Sequence, residues 1–151
     1  MESFLRFLEK INSFAVEDKI EPFGRKECMH FGNIDALNRY VVYKIPKKNK
    51  FKKYRTIYAP EYRLKMFLKY ANRILTEYFQ PNKETFGFVK GLSVVDNASL
   101  HTRKKYVCNL DIKDFFPSIT YDIALGATLE YFKNIEPQVI EICIKASCVK
   151  N

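Results

Sequence analysis

Tryptophan is absent, and glycine and proline are scarce, at 5 and 6 of 151 residues. A chain so poor in both is neither collagen-like nor a flexible linker. No run of about 18 apolar residues occurs, so nothing in it reads as a membrane span. Glu2, Arg6 and Glu9 break up the first apolar stretch, which therefore does not read as a signal peptide. Cysteine is limited to Cys28, Cys108, Cys143 and Cys148, and no two are spaced as Cys-x-x-Cys. That excludes the common zinc and redox motifs, and neither His30 nor His101 joins a cysteine in a ligand pattern. Cys108 lies in an apolar strand-like run and Cys143 on an apolar helical face. Buried, reduced thiols are expected, and with them a cytosolic protein.

Acidic residues are the minority: 17 Asp and Glu against 26 Lys and Arg give a net charge of +9 and a pI near 9.3. Such a surface attracts nucleic acid or acidic membrane, unless the chain is simply a soluble basic protein. The distribution of the charge decides. Apolar content of 47%, with 13 Phe and 10 Tyr, rules out a disordered tail. At this length one domain with a core is expected.

Phe4, Leu5, Phe7, Leu8, Ile11 and Phe14 recur at helical spacing and predict an amphipathic first helix. Residues 18–38 are mixed, with room for short helices. Tyr40–Ile45 and Tyr54–Ala59 are β-branched and aromatic, so they predict two strands of an antiparallel hairpin. Leu64, Phe67, Leu68, Ala71, Ile74, Leu75 and Tyr78 predict a long helix over 62–79, limited by Pro81. Phe86–Gly91 reads as a glycine-punctuated loop, and Ser93 as the cap of a short helix running to about His101. Tyr106–Ile112 predicts a further strand. Pro117 breaks the chain after it, and helices are expected over 121–133 and 137–148.

Residues 44–55 hold six Lys and one Arg in twelve positions. Like charges this dense repel one another, and phosphates relieve the repulsion while releasing counterions. Lys47, Lys48, Lys50 and Lys52 are the candidates, with Phe51, Tyr54 and Tyr58 interleaved either to stack on bases or to cover the strand face. The alternative is a solvated tip whose lysines keep a sheet edge from aggregating. At Asn109–Ile119 an apolar run delivers Asp111, then Asp114, then two phenylalanines. A carboxylate at a strand end suits a hard cation such as Mg²⁺. It equally suits a turn begun by Asp.

Three segments stand in one order: Arg55-Thr56-Ile57-Tyr58-Ala59-Pro60; Gly87-Phe88-Val89-Lys90-Gly91-Leu92-Ser93 with Asn97-Ala98; and Asp111 to Phe116. In that order the chain resembles the fingers and early palm of bacterial reverse transcriptases of the retron and group II intron type. The resemblance implies an α+β fold of helices, a basic antiparallel hairpin and one further strand. It implies a fingers-like region over 1–105 and the start of a truncated palm over 106–151, together one compact unit.

By that resemblance Asp111 is the first metal-binding aspartate, and the carbonyl of Ile112 helps to hold the metal on the nucleotide side. Phe116, rather than Phe115, lies under the incoming sugar and selects deoxynucleotides by bulk. Arg55 grips the triphosphate through its planar fork. Lys53, Lys65 and Arg63 are candidates for the same phosphates or for template backbone. Lys90, Ser93 and Asn97 contact the template strand. Asp114 either positions the nucleotide or caps a turn. The implied cofactor is Mg²⁺ in a two-metal site, and the implied partners are an RNA template, a DNA or RNA primer and deoxynucleotide triphosphates. A structured non-coding RNA, a role in phage defence and a bacterial cytoplasmic location come from the resemblance alone.

The chain departs from the family in having no Asp-Asp pair, whereas the family's other carboxylates come from a Tyr-x-Asp-Asp hairpin. The Leu-Pro-Gln-Gly segment and the thumb are also missing. The chain is therefore expected to be inactive alone, as a truncated product of such an enzyme or as half of a split one whose partner is the missing C-terminal half. The strand at 106–112 would lack neighbours, so a second copy or an extra helix is expected over its edge. A non-catalytic RNA-binding module and a protein-interaction domain are the rival readings.

Overall fold

The computed structural model describes residues 3–33, 39–46 and 54–149. The described residues form an α+β chain of seven helices and one antiparallel hairpin. They fall into two compact units, Met1–Tyr78 with Ile119–Asn151, and Phe79–Ser118.

The first unit is built on aromatic packing. Helix α1 (Phe4–Glu17) begins at Ser3, whose hydroxyl accepts the Arg6 amide at 3.4 Å. Phe4, Phe7, Ile11 and Phe14 form its buried stripe, as the periodicity predicts, whereas Leu5 faces solvent. The helix ends in a left-handed residue, Lys19 (φ 57°). The Lys19 amide donates to the Val16 carbonyl at 3.0 Å and the Ile20 amide to that of Ala15 at 2.7 Å. This paired closure satisfies carbonyls the helix leaves open. Asn12 then holds the returning chain: its amide group donates to the Phe23 carbonyl at 3.1 Å and accepts from the Phe23 amide at 2.6 Å.

Among the described residues of the mixed region, α2 (Arg25–Phe31) is the short helix. The hairpin follows as β1 (Tyr40–Pro46) and β2 (Tyr54–Pro60), in register from Tyr40 opposite Pro60 to Pro46 opposite Tyr54. The long helix is α3 (Tyr62–Tyr78), within one residue of its expected span. Its Phe67 is fully buried and meets Phe31 at 4.9 Å and Phe7 at 6.3 Å between ring centroids. Burial of one such ring contributes about 1.5–3 kcal/mol.

Downstream of residue 118, α6 (Tyr121–Tyr131) and α7 (Pro137–Ser147) complete the unit. Pro137 starts α7, where its missing amide is harmless. Val139, Ile140, Ile142 and Cys143 enter the core. Two contacts fix α7. The Phe4 amide donates to the Glu136 carboxylate at 2.6 Å. Gly32, just past α2, lies so close to Ile142 that a Cβ there would sit 3.1 Å from its Cα.

The second unit contains α4 (Val94–Ser99), a single turn α5 (Phe115–Ser118), and irregular backbone. Here the structure corrects the expectation of a strand over Tyr106–Ile112. That segment pairs with nothing among the described residues, and the sheet has two strands only. Alternating apolar residues favour a strand, but a strand exists through hydrogen bonds to a neighbour. Cys108 is accordingly exposed rather than buried, while Cys28 and Cys143 are buried and Cys148 is half-buried.

Candidate nucleotide and nucleic-acid site

Side chains alternate across a strand, so directly opposed residues share a face of the hairpin. The register puts Arg55 beside Ile45, on the face with Tyr43 and Ile57. Lys44 lies on the other face, with Thr56 and Tyr58. Tyr40 anchors the base of the hairpin by donating its hydroxyl to the Ala146 carbonyl at 2.6 Å. Beyond that base both faces are exposed from Val41 to Pro46 and from Tyr54 to Ile57. Arg55 stands at the open end with no ion pair to a described residue, its donor fork available to an anion. Lys47, Lys48, Lys50, Lys52 and Lys53 lie outside the described residues.

The two candidate cations of α3 differ. Lys65 is exposed in the first turn of the helix and has no ion pair with a described residue. Arg63 serves the fold. Its Nε donates to Glu27 at 2.7 Å, and Nη2 donates to Glu27 at 2.9 Å and to the Pro22 carbonyl at 2.8 Å. Nη1 donates to the Glu21 carbonyl. The guanidinium also lies 3.8 Å from the Phe23 ring centroid. The Glu27 carboxyl is held below its ordinary range, chiefly by the Arg63 hydrogen bonds and against the cost of burial. Among the described cations expected at a phosphate, Arg63 is the one whose donors are already taken by protein acceptors.

The other candidates belong to the second unit. In the loop before α4, Lys90 is exposed and Gly91 adopts φ +84°, a left-handed conformation that suits glycine. Ser93 caps α4 reciprocally: its hydroxyl accepts from the Asp96 amide at 3.3 Å, and its own amide donates to the Asp96 carboxylate at 2.7 Å. The Ser93 hydroxyl also donates to the Asp96 carboxylate at 2.5 Å, and this bond, with that from the Ser93 amide, holds the Asp96 carboxyl below its ordinary value. Asn97 is exposed on the same helix.

Asp111 and Ile112 are exposed on the irregular stretch before α5. Asp114 is left-handed (φ 51°), which aspartate tolerates, and its carbonyl accepts the Ser118 amide at 3.0 Å. It thus opens the turn of α5. Phe115 and Phe116 meet edge to face at 5.4 Å. Phe116 is 81% exposed and Phe115 46%, so Phe116 offers the larger free ring. One six-residue stretch therefore presents two carboxylates, a backbone carbonyl and two rings. A hard cation takes six or more oxygen ligands, partly water. Among the described residues no three His, Cys, Asp or Glu side chains converge on a metal position. Asp111 has the donor chemistry for a divalent cation but does not form a site with its described neighbours.

One charged run was not singled out from the sequence: Arg103-Lys104-Lys105, all exposed after α4. Three adjacent cations were the available signal, overshadowed by the denser run in the hairpin. No described helix is long and apolar enough to cross a membrane.

Known proteins place this geometry in context. No family model matches the chain. It is 33% identical over 115 residues to the retron Ec86 reverse transcriptase of Escherichia coli, covering 75% of this chain and 35% of that protein. It is 32% identical over 87 residues to the retron Mx65 reverse transcriptase of Myxococcus xanthus, covering 58% of this chain and 20% of the relative. With the retron Mx162 reverse transcriptase of Myxococcus xanthus the identity is 35% over 88 residues, with 58% and 18% covered. The chain thus spans about a third or less of the length of these relatives.

Proposed function

The chain belongs to the retron-type reverse transcriptases, of whose length it spans a part, and from that premise we propose that it supplies the nucleotide- and template-gripping part of an RNA-directed DNA polymerase. The observation that carries this reading is the order of three segments on one chain: the strand ending Arg55–Pro60, the Gly87–Ser93 loop and the Asp111–Phe116 stretch.

Each segment has a chemical task. Arg55 pairs its fork with the triphosphate of an incoming deoxynucleotide, assisted by Lys65 and Lys53. Phe116 sets the sugar pocket, with Phe115 bracing it from the side. Asp114 opens the turn that carries both rings. Lys90, Ser93 and Asn97 lie along the template, and the hairpin lysines bind backbone phosphates of template and primer. A divalent metal, Mg²⁺, is the cofactor this chemistry calls for. Asp111 and the Ile112 carbonyl are the groups of this chain that would meet it, and further carboxylates are needed to hold it. These 151 residues are accordingly inactive alone.

The second reading, an RNA-binding module without chemistry, is favoured by the isolation of Asp111 from other carboxylates among the described residues. Photocrosslinking of a radiolabelled deoxynucleotide triphosphate to the template-primer complex separates the two. On the polymerase reading Arg55→Ala reduces affinity roughly 10- to 150-fold, the worth of a charge-assisted pair. RNA binding with no nucleotide crosslink that depends on Arg55 leaves the module.

A further inference from the structure

Some cations of the first unit have carboxylate partners, whereas Arg55 and Lys65 have none among the described residues. Lys69 meets Asp18 at 2.6 Å, Lys10 meets Glu77 at 3.1 Å and Arg73 meets Glu17 at 3.3 Å. The segment after α4 in the second unit gathers three cations like Arg55 and Lys65 in adjacent positions. Arg103, Lys104 and Lys105 are exposed, and none has an ion pair with a described residue. The nearest carboxylate upstream in sequence, Asp96, is committed to the Ser93 cap. Asp111 and Asp114 pair with none of the three. Directly after the run stands Tyr106, 82% exposed, with the Lys105 ammonium 5.4 Å from its ring centroid. Arg103 holds a left-handed backbone (φ 60°), unusual for a long side chain.

Three adjacent like charges gain nothing from one another, and an exposed aromatic ring gains nothing from water. Phosphates answer the first and a base the second. Cations alone fit any polyanion, but cations followed by an open ring fit a single strand, whose bases are unstacked. A paired duplex hides its base faces and offers the ring nothing.

We propose that residues 101–106 form a binding site for single-stranded nucleic acid, with Arg103, Lys104 and Lys105 on phosphates and Tyr106 stacked under a base. The proposal rests on the reading of the chain as a nucleic-acid binder and adds residues other than those of the basic hairpin. The test is fluorescence anisotropy of the full chain with a labelled unstructured oligouridylate across a salt series. Replacing Arg103, Lys104 and Lys105 together by Gln lowers the salt slope by about 2, at 0.7 per phosphate contact. The same slope makes the weakening on the order of 100-fold at 0.1 M salt. Tyr106→Ala weakens binding roughly 5- to 100-fold and leaves the slope unchanged. All four positions are exposed, so an unchanged unfolding midpoint certifies each variant. Binding by the triple variant with the wild-type slope overturns the site and leaves the wider reading standing. Failure of the wild-type chain to bind overturns both. A slope change without any effect of Tyr106→Ala makes the run a general polyanion patch and overturns the single-strand assignment.

Discussion

Removing Arg63 tests whether this arginine is scaffold or ligand-binding surface. The perturbation is Arg63→Ala, which strips the fork from Glu27 (2.7 and 2.9 Å) and frees the carbonyls of Glu21 and Pro22. It also removes the cation 3.8 Å from the Phe23 ring. Charge-assisted hydrogen bonds contribute about 1.5–3 kcal/mol, and a cation over a ring about 0.5–2 kcal/mol. The pair is partly exposed, with side chains at 24% and 30%, so solvent screening lowers the sum. About 3 kcal/mol is the resulting loss, or roughly 6–12 °C in midpoint for a chain of this size. Thermal unfolding followed by circular dichroism reads it directly. A cycle with Glu27→Gln should return a coupling of at least about 1 kcal/mol, since the two side chains share one network. At a temperature where the variant stays folded, RNA binding should be unchanged. A midpoint shift under about 2 °C, or full additivity with Glu27→Gln, refutes the scaffold role.

The same packing has other consequences. Gly32→Ala should destabilise by about 1–3 kcal/mol, because its Cβ would press on the Ile142 backbone and side chain at 3.1 Å; a raised unfolding midpoint contradicts this. Burial pushes the Cys28 and Cys143 thiols up to about 12, so a disulfide-exchange reagent at neutral pH should label exposed Cys108 first. Cys28 and Cys143 should react only on unfolding, and rapid native labelling of either would count against the core. Glu27 and Asp18 have depressed carboxyl values in the fold, Glu27 through Arg63 and Asp18 through Lys69 and Tyr70. Their stabilisation is complete above the unfolded values near 4 and is lost as pH falls through the folded ones. Urea midpoints should therefore drop below about pH 4, and Glu27→Gln should flatten that fall.

The elements legible in the sequence are those whose signal is local. The stripes of α1 and α3 are written in their own periodicity, and the hairpin in two β-branched runs around a polar connection. The segment Tyr106–Ile112 has an equally clear pattern, yet it forms no strand among the described residues, because a strand needs a partner that pattern cannot supply. Its Cys108 is in solvent for the same reason. Arg63 shows the same limit at the level of one side chain. Its charge reads as phosphate-binding, but Glu27, 36 residues earlier, and the carbonyls beside Phe23 reach it only through folding. The Ser93 cap was legible because cap and helix are neighbours. At Asp111 sequence order gave the resemblance its force, while the carboxylates that would complete a metal site are not found among the described residues.

The most direct test of the central claim is primer extension on an RNA template with Mg²⁺. It compares this chain alone, the chain with a separately supplied C-terminal retron reverse transcriptase polypeptide, and the same mixture with Asp111→Ala. The account predicts deoxynucleotide incorporation only in the mixture, and its loss with Asp111→Ala. Extension by the 151-residue chain alone, or undiminished extension with Asp111→Ala, would contradict it.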